Sequence, residues 1–111
     1  MTDGYTKYIQ VVVDVYYAYR GETFVWDGRK AAENRAKHGV RFETACEVFF
    51  DPGNADEDAS VDDERRLAVI GRTLAGKTLY VVNVEREPRS IRIISAREAT
   101  SREREFYEDG C

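Results

Sequence analysis

The start of the chain has the apolar pattern of a β-strand. Between residues 5 and 21, every second residue from Ile9 onward is apolar, which predicts one long strand. The apolar positions are Ile9, Val11, Val13, Val15, Tyr17 and Tyr19. A short strand, FVWD at residues 24–27, follows Gly21. A long apolar strand left on an exposed edge promotes aggregation, so we expect it to pair within its own sheet or with another chain.

The next segment, GRKAAENRAKH at residues 28–38, is predicted to be a helix. Asp27 is a favourable N-cap for it, and Gly39 stands where a left-handed C-cap residue is favoured. One stripe of this helix is polar and consists of Lys30, Asn34 and His38, with Lys37 beside it. We interpret the stripe as a solvated face.

A second helix is predicted at residues 42–50, FETACEVFF, which end just before Pro52. Its apolar residues have the spacing of a core-facing helix and are Phe42, Ala45, Cys46 and Phe49. The chain has two cysteines, and their positions fit neither a disulfide framework nor a metal site. We therefore interpret Cys46 as a small, reduced core residue.

The second half of the chain is predicted to form a loop, three strands and a helix. The acidic residues 51–64 have the composition of a loop without a specific role. The turn signals LAGK and EPRS separate three strand candidates in the manner of antiparallel hairpins, at Glu64–Arg72, Thr78–Glu87 and Ser90–Ala96. Of two capping boxes for the last helix, Ser95 with Glu98 and Thr100 with Glu103, we favour the second, because it leaves Arg97 on the strand.

The order of these elements predicts an α+β fold. Sequence-adjacent strands with helices grouped before and after them favour an antiparallel sheet over alternating parallel units. We expect four or five strands, two helices on the N-terminal side, one C-terminal helix and the extra N-terminal strand.

Composition and charge limit the class of protein. The chain has 111 residues, 42% of them hydrophobic and 34% charged, which suits one globular domain. No apolar run is long enough to cross a bilayer, and the N-terminus lacks the features of a secretory signal, so we expect a cytoplasmic protein without membrane contacts. The net charge of −4 argues against a broad nucleic-acid coat, but residues 65–84 carry four basic side chains and no acidic ones, which allows a compact cationic site.

Arginines in the C-terminal segment IRIISAREATSREREFY are the strongest candidates for such a site. Guanidinium groups bind phosphate oxygens in a bidentate manner, which suits Arg92 and Arg97. Their separation is odd, so on a regular strand they point to opposite faces, and they share a site only if the strand bends or bulges near Ser95. The alternative for each is a salt bridge to a nearby glutamate.

Four blocks of the sequence, taken in order, carry a family resemblance: FVWDGRKAAENRAKHGVRFETACEVFFDP, DERRLAVIG, LYVVNVERE and IRIISAREATSREREFYE. Together they resemble the BrnT family of type II toxins. The resemblance implies a RelE-like toxin domain at residues 23–109. Residues 1–22 lie outside it, and we interpret them as an added strand. The alternatives are an upstream translation start or engineered sequence, and a further role for the strand is homodimerisation.

The resemblance implies a metal-independent endoribonuclease that cleaves mRNA in the bacterial cytoplasm without a cofactor. It also implies a BrnA-like antitoxin that has a DNA-binding domain. The toxin is then expected to associate with DNA only indirectly, through this antitoxin. The alternative function is a catalytically weak or inactive module that binds the antitoxin and acts mainly in autoregulation of the operon.

Cleavage by attack of the 2′-hydroxyl needs a base, an acid and cations that stabilise the charged phosphorane. We expect Arg97 and Arg92 to supply the cations. His38 is the default proton carrier, because histidine titrates near neutrality, although a histidine in a last helical turn also interacts favourably with the helix dipole. The candidate RNA-binding residues are Lys30, Lys37, Arg65 and Arg66, for which solvated surface charges are the alternative.

Overall fold

The computed structural model of the protein describes residues 13–110. Within this range the chain forms six strands and three helices, with a 3₁₀ helix at Cys46–Phe50 directly after the second helix. The elements are β1 (Asp14–Tyr19), β2 (Glu22–Asp27), α1 (Gly28–His38), α2 (Phe42–Ala45), β3 (Ala55–Asp58), β4 (Leu67–Arg72), β5 (Thr78–Arg86), β6 (Ser90–Glu98) and α3 (Ser101–Asp109). The part of the predicted first strand at residues 5–12 lies outside the described residues.

The strands form one sheet in the order β1-β2-β6-β5-β4-β3. Four of the five neighbouring pairs are antiparallel, but β2 and β6 are parallel, with Phe24 opposite Ile91 and Val25 opposite Arg92. The α+β class is confirmed, whereas the expectation of a purely antiparallel sheet of four or five strands is wrong. The chain leaves the sheet after β2 to form the helices, and β6 later pairs with β2 and runs in the same direction as β2.

The strand that the sequence did not predict is β3, within the acidic segment. It pairs with β4, so that Ala55 lies opposite Ile70 and Glu57 opposite Ala68. Ala55 and Glu57 are half-buried, while Asp56 and Asp58 are exposed. The interpretation of this segment as a loop is therefore wrong, because an edge strand tolerates charges on its solvent side.

The hydrophobic core lies between one face of the sheet, the core face, and the layer of α1, α2 and the 3₁₀ helix. Phe24 and Trp26 of β2 are almost fully buried there, and Trp26 contacts Phe42 of α2 edge-on at 5.7 Å between ring centroids. Cys46 is buried in this core as a free thiol, as predicted. The apolar positions of β1 that the structure describes in contact with the core are Val15, Tyr17 and Tyr19.

The opposite face of the sheet, the open face, is covered at one end by α3, which packs against β4 where Ile70 is fully buried. By strand register and alternation, this face carries Tyr16, Val25, Tyr80, Val82, Val84, Arg92, Ser95 and Arg97.

A β-bulge in β6 decides which of its side chains reach the open face. Val82 of β5 pairs with Ser95, but the next residue, Asn83, pairs with Ile93, so Ile94 is an extra residue in β6. The extra residue reverses the alternation along the strand. As a result, Ile93 and Ala96 are both buried in the core despite their odd separation.

The helix α1 replaces a strand beside the second half of β6. Pairing between β2 and β6 ends at Val25 and Arg92, and beyond this point Asn34 of α1 binds the edge of β6. Its side-chain Nδ2 donates to the backbone oxygen of Ala96 at 2.8 Å, and its Oδ1 accepts from the Ala96 N–H at 3.0 Å. Asn34 is buried, so the interpretation of its stripe as a solvated face is wrong at this position.

Asn34→Ala is expected to lower the free energy of unfolding by about 2–3 kcal/mol, because it leaves buried backbone groups without partners. Glu33→Ala, at the exposed neighbouring position of α1, is the matched control and should change stability by less than about 0.5 kcal/mol. Urea denaturation of both variants measures the difference. Equal stability of the two variants would show that the Asn34 hydrogen bonds do not hold α1 against β6.

Candidate functional site

The bulge places Arg92 and Arg97 on the same face of the sheet. Their partners on β5 are Val84 and Tyr80, which are four residues apart and so have side chains on one side. This separation corresponds to about 13 Å along the strand. The carboxylate partner of Arg92 lies on β1 and that of Arg97 lies on α3, so the two guanidinium groups are held toward opposite sides of the sheet. They therefore suit two separate anionic groups of one ligand better than a single phosphate.

Arg97 is held by a bidentate ion pair with Glu103 of α3. Its two terminal nitrogens donate to the two carboxylate oxygens of Glu103 at 2.8 and 2.9 Å, and Nη1 also donates to the Glu98 carbonyl at 3.2 Å. The guanidinium carbon lies 4.2 Å from the centre of the Tyr80 ring, which is a cation–π contact. About a third of the Arg97 side chain is exposed, so the group is oriented but still accessible.

The carboxylate of Glu103 has two structural roles. It pairs with Arg97, and it accepts the Thr100 N–H at 2.8 Å, which completes the predicted capping box at the start of α3. The hydrogen bonds from Arg97 hold the pKa of Glu103 below its usual value, and the same pair raises the pKa of Arg97. Both groups are therefore charged across the physiological range of pH.

Tyr80 connects this ion pair to the edge strand β3. Its hydroxyl donates to Glu57 at 3.2 Å, and its pKa is raised by burial and by the nearby Glu57 charge. Arg102 of α3 lies 3.6 Å from Glu57 and 3.8 Å from Glu103. Arg97, Glu103, Arg102 and Glu57 therefore form a network of alternating positive and negative charges, in which Arg97 comes from the sheet and Arg102 from α3.

Arg92 is oriented by an acidic residue on β1. Its Nη2 donates to Oδ1 of Asp14 at 2.6 Å, and Nη1 donates to the same oxygen at 3.2 Å. Only one carboxylate oxygen is engaged, and about a fifth of the Arg92 side chain is exposed. The predicted alternative, a salt bridge to a nearby glutamate, is therefore present at Arg97, whereas Arg92 pairs with an aspartate that is distant in sequence.

Three of the candidate residues on α1 come together beside the bulge. Lys30, Lys37 and His38 line a shallow cleft of about 210 Å³ with Ile94 and Ser95. His38 also borders a cavity of about 310 Å³ that includes Lys77 and Glu98. Arg97 borders neither cavity, since its side chain extends to Glu103 on the open face.

Arg65 and Arg66 precede β4, which begins at Leu67 and not at Glu64 as predicted. Arg66 forms an ion pair with Glu64, while Arg65 is exposed. The structure therefore does not join these two residues to the Arg92–Arg97 face through any salt bridge among the described residues.

Several side chains of the open face were not predicted as site residues, namely Asp14, Tyr16, Glu57 and Arg86. No local pattern identifies them, because their proximity to the arginines depends on strand order and register. Tyr107 of α3 is a hydrogen-bonded anchor, since its hydroxyl donates to Asp51 at 2.6 Å. That bond ties α3 to the segment before β3.

Across residues 13–110, no three His, Cys, Asp or Glu side chains are grouped so that they could hold a metal ion. No helix in the same range is both long and apolar enough to cross a bilayer.

Comparison with known proteins gives one family. The model described as "Ribonuclease toxin, BrnT, of type II toxin-antitoxin system" matches residues 26–103, which is more than two thirds of the chain. The matched region runs from the end of β2 to the first turn of α3 and leaves out β1. No significantly similar sequence was found among curated proteins.

Glu103→Gln is expected to lower the free energy of unfolding at pH 7 by about 1.5 kcal/mol, because it removes a charge-assisted pair with Arg97. A lowered carboxyl pKa contributes stability above the unfolded value of about 4.3, and this contribution is lost as the pH falls through the folded value. The stability difference from wild type should therefore shrink below about pH 4.3.

Glu105→Gln, at an exposed position of the same helix, is the control and should leave the pH dependence unchanged. Chemical denaturation at several pH values between 3 and 7 tests both variants. A Glu103→Gln difference that stays constant down to pH 3 would contradict the role assigned to the ion pair.

Proposed function

Because the chain belongs to the BrnT family of ribonuclease toxins from type II toxin-antitoxin systems, we propose that it cleaves messenger RNA in the bacterial cytoplasm. The proposed reaction is attack of a 2′-hydroxyl on the neighbouring phosphate, without a metal ion or another cofactor. The observation that supports it most directly is the bulge in β6, which brings Arg92 and Arg97 to one accessible face of the sheet.

We assign the two arginines to the RNA backbone. In this proposal one guanidinium stabilises the negative charge that develops on the attacked phosphate, and the other binds a neighbouring phosphate of the same strand. The acidic partners Asp14 and Glu103 keep the guanidinium groups in fixed orientations before RNA binds, which reduces the entropy lost on binding.

The proton transfers are assigned to the α1 side of the bulge. Ser95 faces the open side of β6 and also lines the cleft beside Lys30, Lys37 and His38. A strand of RNA that passes from Arg92 over Ser95 therefore reaches His38, the proposed proton carrier, while the two lysines contact its backbone. Arg65 is proposed as a more distant RNA contact, and Arg66, paired with Glu64, as a weaker one.

The proposed macromolecular partner is a BrnA-like antitoxin that carries its own DNA-binding domain, so that the toxin reaches DNA only indirectly. Residues 1–22 are proposed as an extension to the domain at 23–109. Among the described strands, β1 forms one edge of the sheet, and an edge strand suits pairing with another chain, including a second copy of this one.

A second function has support from the same geometry. Both arginines are bound to carboxylates, and His38 has no contact with either of them among the described residues. A protein with this arrangement cleaves RNA weakly unless RNA displaces the acids. It would then act mainly as an antitoxin-binding module in repression of its operon.

Expression of the wild-type chain alone in a bacterial host is expected to arrest growth, and the purified protein should cleave RNA in the presence of EDTA. Arg92→Ala should abolish the arrest and lower the cleavage rate by about 10²- to 10³-fold, since it removes a cation that binds either the attacked phosphate or the phosphate beside it. Arg41→Ala removes the same charge from an exposed position on the core-face layer and should leave both activities unchanged.

Normal growth with folded wild-type protein and intact RNA would eliminate the ribonuclease in favour of the second function. Full activity of Arg92→Ala would show instead that the site is misplaced. Arg97→Ala should also abolish arrest while antitoxin binding persists, and its unfolding midpoint must be measured because the change removes the bidentate partner of the buried Glu103.

His38→Ala is expected to lower the cleavage rate by about 10²-fold or more if His38 carries a proton, and to flatten the pH–rate profile near neutrality. Lys37→Ala, at the neighbouring exposed position, should weaken RNA binding without changing the shape of that profile. Rates measured between pH 5.5 and 8.5 separate the two effects. An unchanged profile in His38→Ala would assign the histidine to the helix end alone.

A further inference from the structure

A cleft lies on the open face between β1 and the β5–β6 hairpin, at the end of the sheet away from α3. It has a volume of about 460 Å³. The side chains that matter are Tyr16, Thr23, Val25, Arg86, Arg89 and Arg92. Tyr16 and Thr23 precede the region matched by the family model, so this part of the cleft is a feature of the N-terminal segment.

Strand register defines the shape of the cleft. Tyr16 lies opposite Val25, and Val25 lies opposite Arg92, so the three side chains form one row across three strands. Two strand spacings, or about 9.5 Å, separate the backbone of Tyr16 from that of Arg92. Val25 is buried as the floor of this row, whereas Tyr16 is 70% exposed. An exposed aromatic ring therefore stands beside an apolar floor and an oriented guanidinium group.

Two further arginines, Arg86 and Arg89, line the cleft on the side of the β5–β6 hairpin. Arg86 has the same side-chain direction as Val84, two residues before it on β5, and therefore points to the open face. Arg89 lies in the turn of the hairpin and is exposed. Neither arginine has a salt-bridge partner among residues 13–110, in contrast to Arg92, which is paired with Asp14.

The combination of charge and aromatic surface distinguishes this cleft from its neighbour. A cavity of about 490 Å³ on the other side of the same hairpin also includes Arg86 and Arg89, but Glu22, Glu85 and Glu87 line it as well. Its acids would repel phosphates. The cleft on the open face is lined by three arginines but by only two acidic residues, Glu87 and Asp14, and Asp14 is already paired with Arg92.

We propose that this cleft binds single-stranded RNA on one side of the cleaved phosphate, with a base stacked on Tyr16 and the backbone bound by Arg86 and Arg89. A cationic groove beside an aromatic ring is the usual arrangement for binding single strands without sequence preference. Arg86, Arg92 and Arg97 lie along the hairpin over about 20 Å of strand length, which is long enough for several nucleotides. The inference rests on the proposed ribonuclease function, because it names where the substrate extends.

The test uses the full chain and a fluorescent single-stranded RNA whose 2′-hydroxyl groups are all methylated, so that it binds but is not cleaved. Tyr16→Ala is expected to weaken binding about tenfold or more, because the base can no longer stack on the ring. Tyr16→Phe is the matched control and should stay within about twofold of wild type, since phenylalanine keeps the stacking surface. Tyr16 is exposed, so both variants should fold, and their thermal unfolding midpoints verify this.

Arg89→Ala tests phosphate binding separately. On a single strand, the slope of log K against log salt concentration should decrease in magnitude by about 0.7 for each phosphate that the variant no longer neutralises. Arg41→Ala, which removes an arginine on the other side of the sheet, should leave this slope unchanged.

Three outcomes overturn the inference: wild-type protein that does not bind the RNA, Tyr16→Ala affinity equal to that of Tyr16→Phe, or an unchanged salt slope in Arg89→Ala. If these variants instead weaken only the binding of the antitoxin, the cleft is a protein-binding surface and the RNA proposal is wrong. Cleavage of unmodified RNA is measured in parallel. If the protein cleaves RNA but its activity and binding do not depend on Tyr16, only the proposal of RNA binding in the cleft is wrong. If binding depends on Tyr16 but no RNA is cleaved, the ribonuclease proposal is wrong and the proposal of RNA binding in the cleft stands.

Discussion

Ile94 is one residue more than the β5–β6 pairing needs, and the arrangement of the open face depends on it. With regular alternation, a strand that buries Ile93 in the core would direct Ala96 to the opposite face, and Arg97 would face the core. The bulge instead lets Ile93 and Ala96 both pack inside. Burying an arginine in an apolar core is costly, so the packing of β6 and the position of its arginines are fixed together.

The helix α1 lies beside the part of β6 that no longer pairs with β2. Past the bulge, β6 has no strand beside it on the β2 side, and its backbone groups would be unpaired without Asn34. The amide binds both the N–H and the C=O of Ala96, as a neighbouring strand would. Because Lys30 and His38 lie one turn before and after Asn34, this interaction holds both side chains near the bulge. The hydrogen bonds between Asn34 and Ala96 therefore also position His38, the candidate proton carrier.

Local features of the fold were predictable from sequence, whereas long-range pairing was not. The sequence predicts the caps at Asp27, Gly39 and Thr100, and the structure confirms all three, because each cap depends on residues within one helical turn. The parallel pairing of β2 with β6 and the existence of β3 were missed, since both depend on which distant segments meet. For Arg92 and Arg97, the sequence indicated that a bulge near Ser95 was required, but its occurrence depends on the register of β5. The ion pair with Asp14 could not be anticipated, because the two residues are 78 positions apart.

The two edges of the described sheet differ in a way that limits how it can grow. At one edge, β3 is four residues long and exposes Asp56 and Asp58, so a second acidic edge would be repelled. At the other edge, β1 is longer and carries the exposed Tyr16. Of the two edges of the described sheet, β1 is therefore the more favourable one for strand addition. Two copies joined there would form a closed, symmetric pair with acidic outer edges, and the sheet would not extend into a fibre.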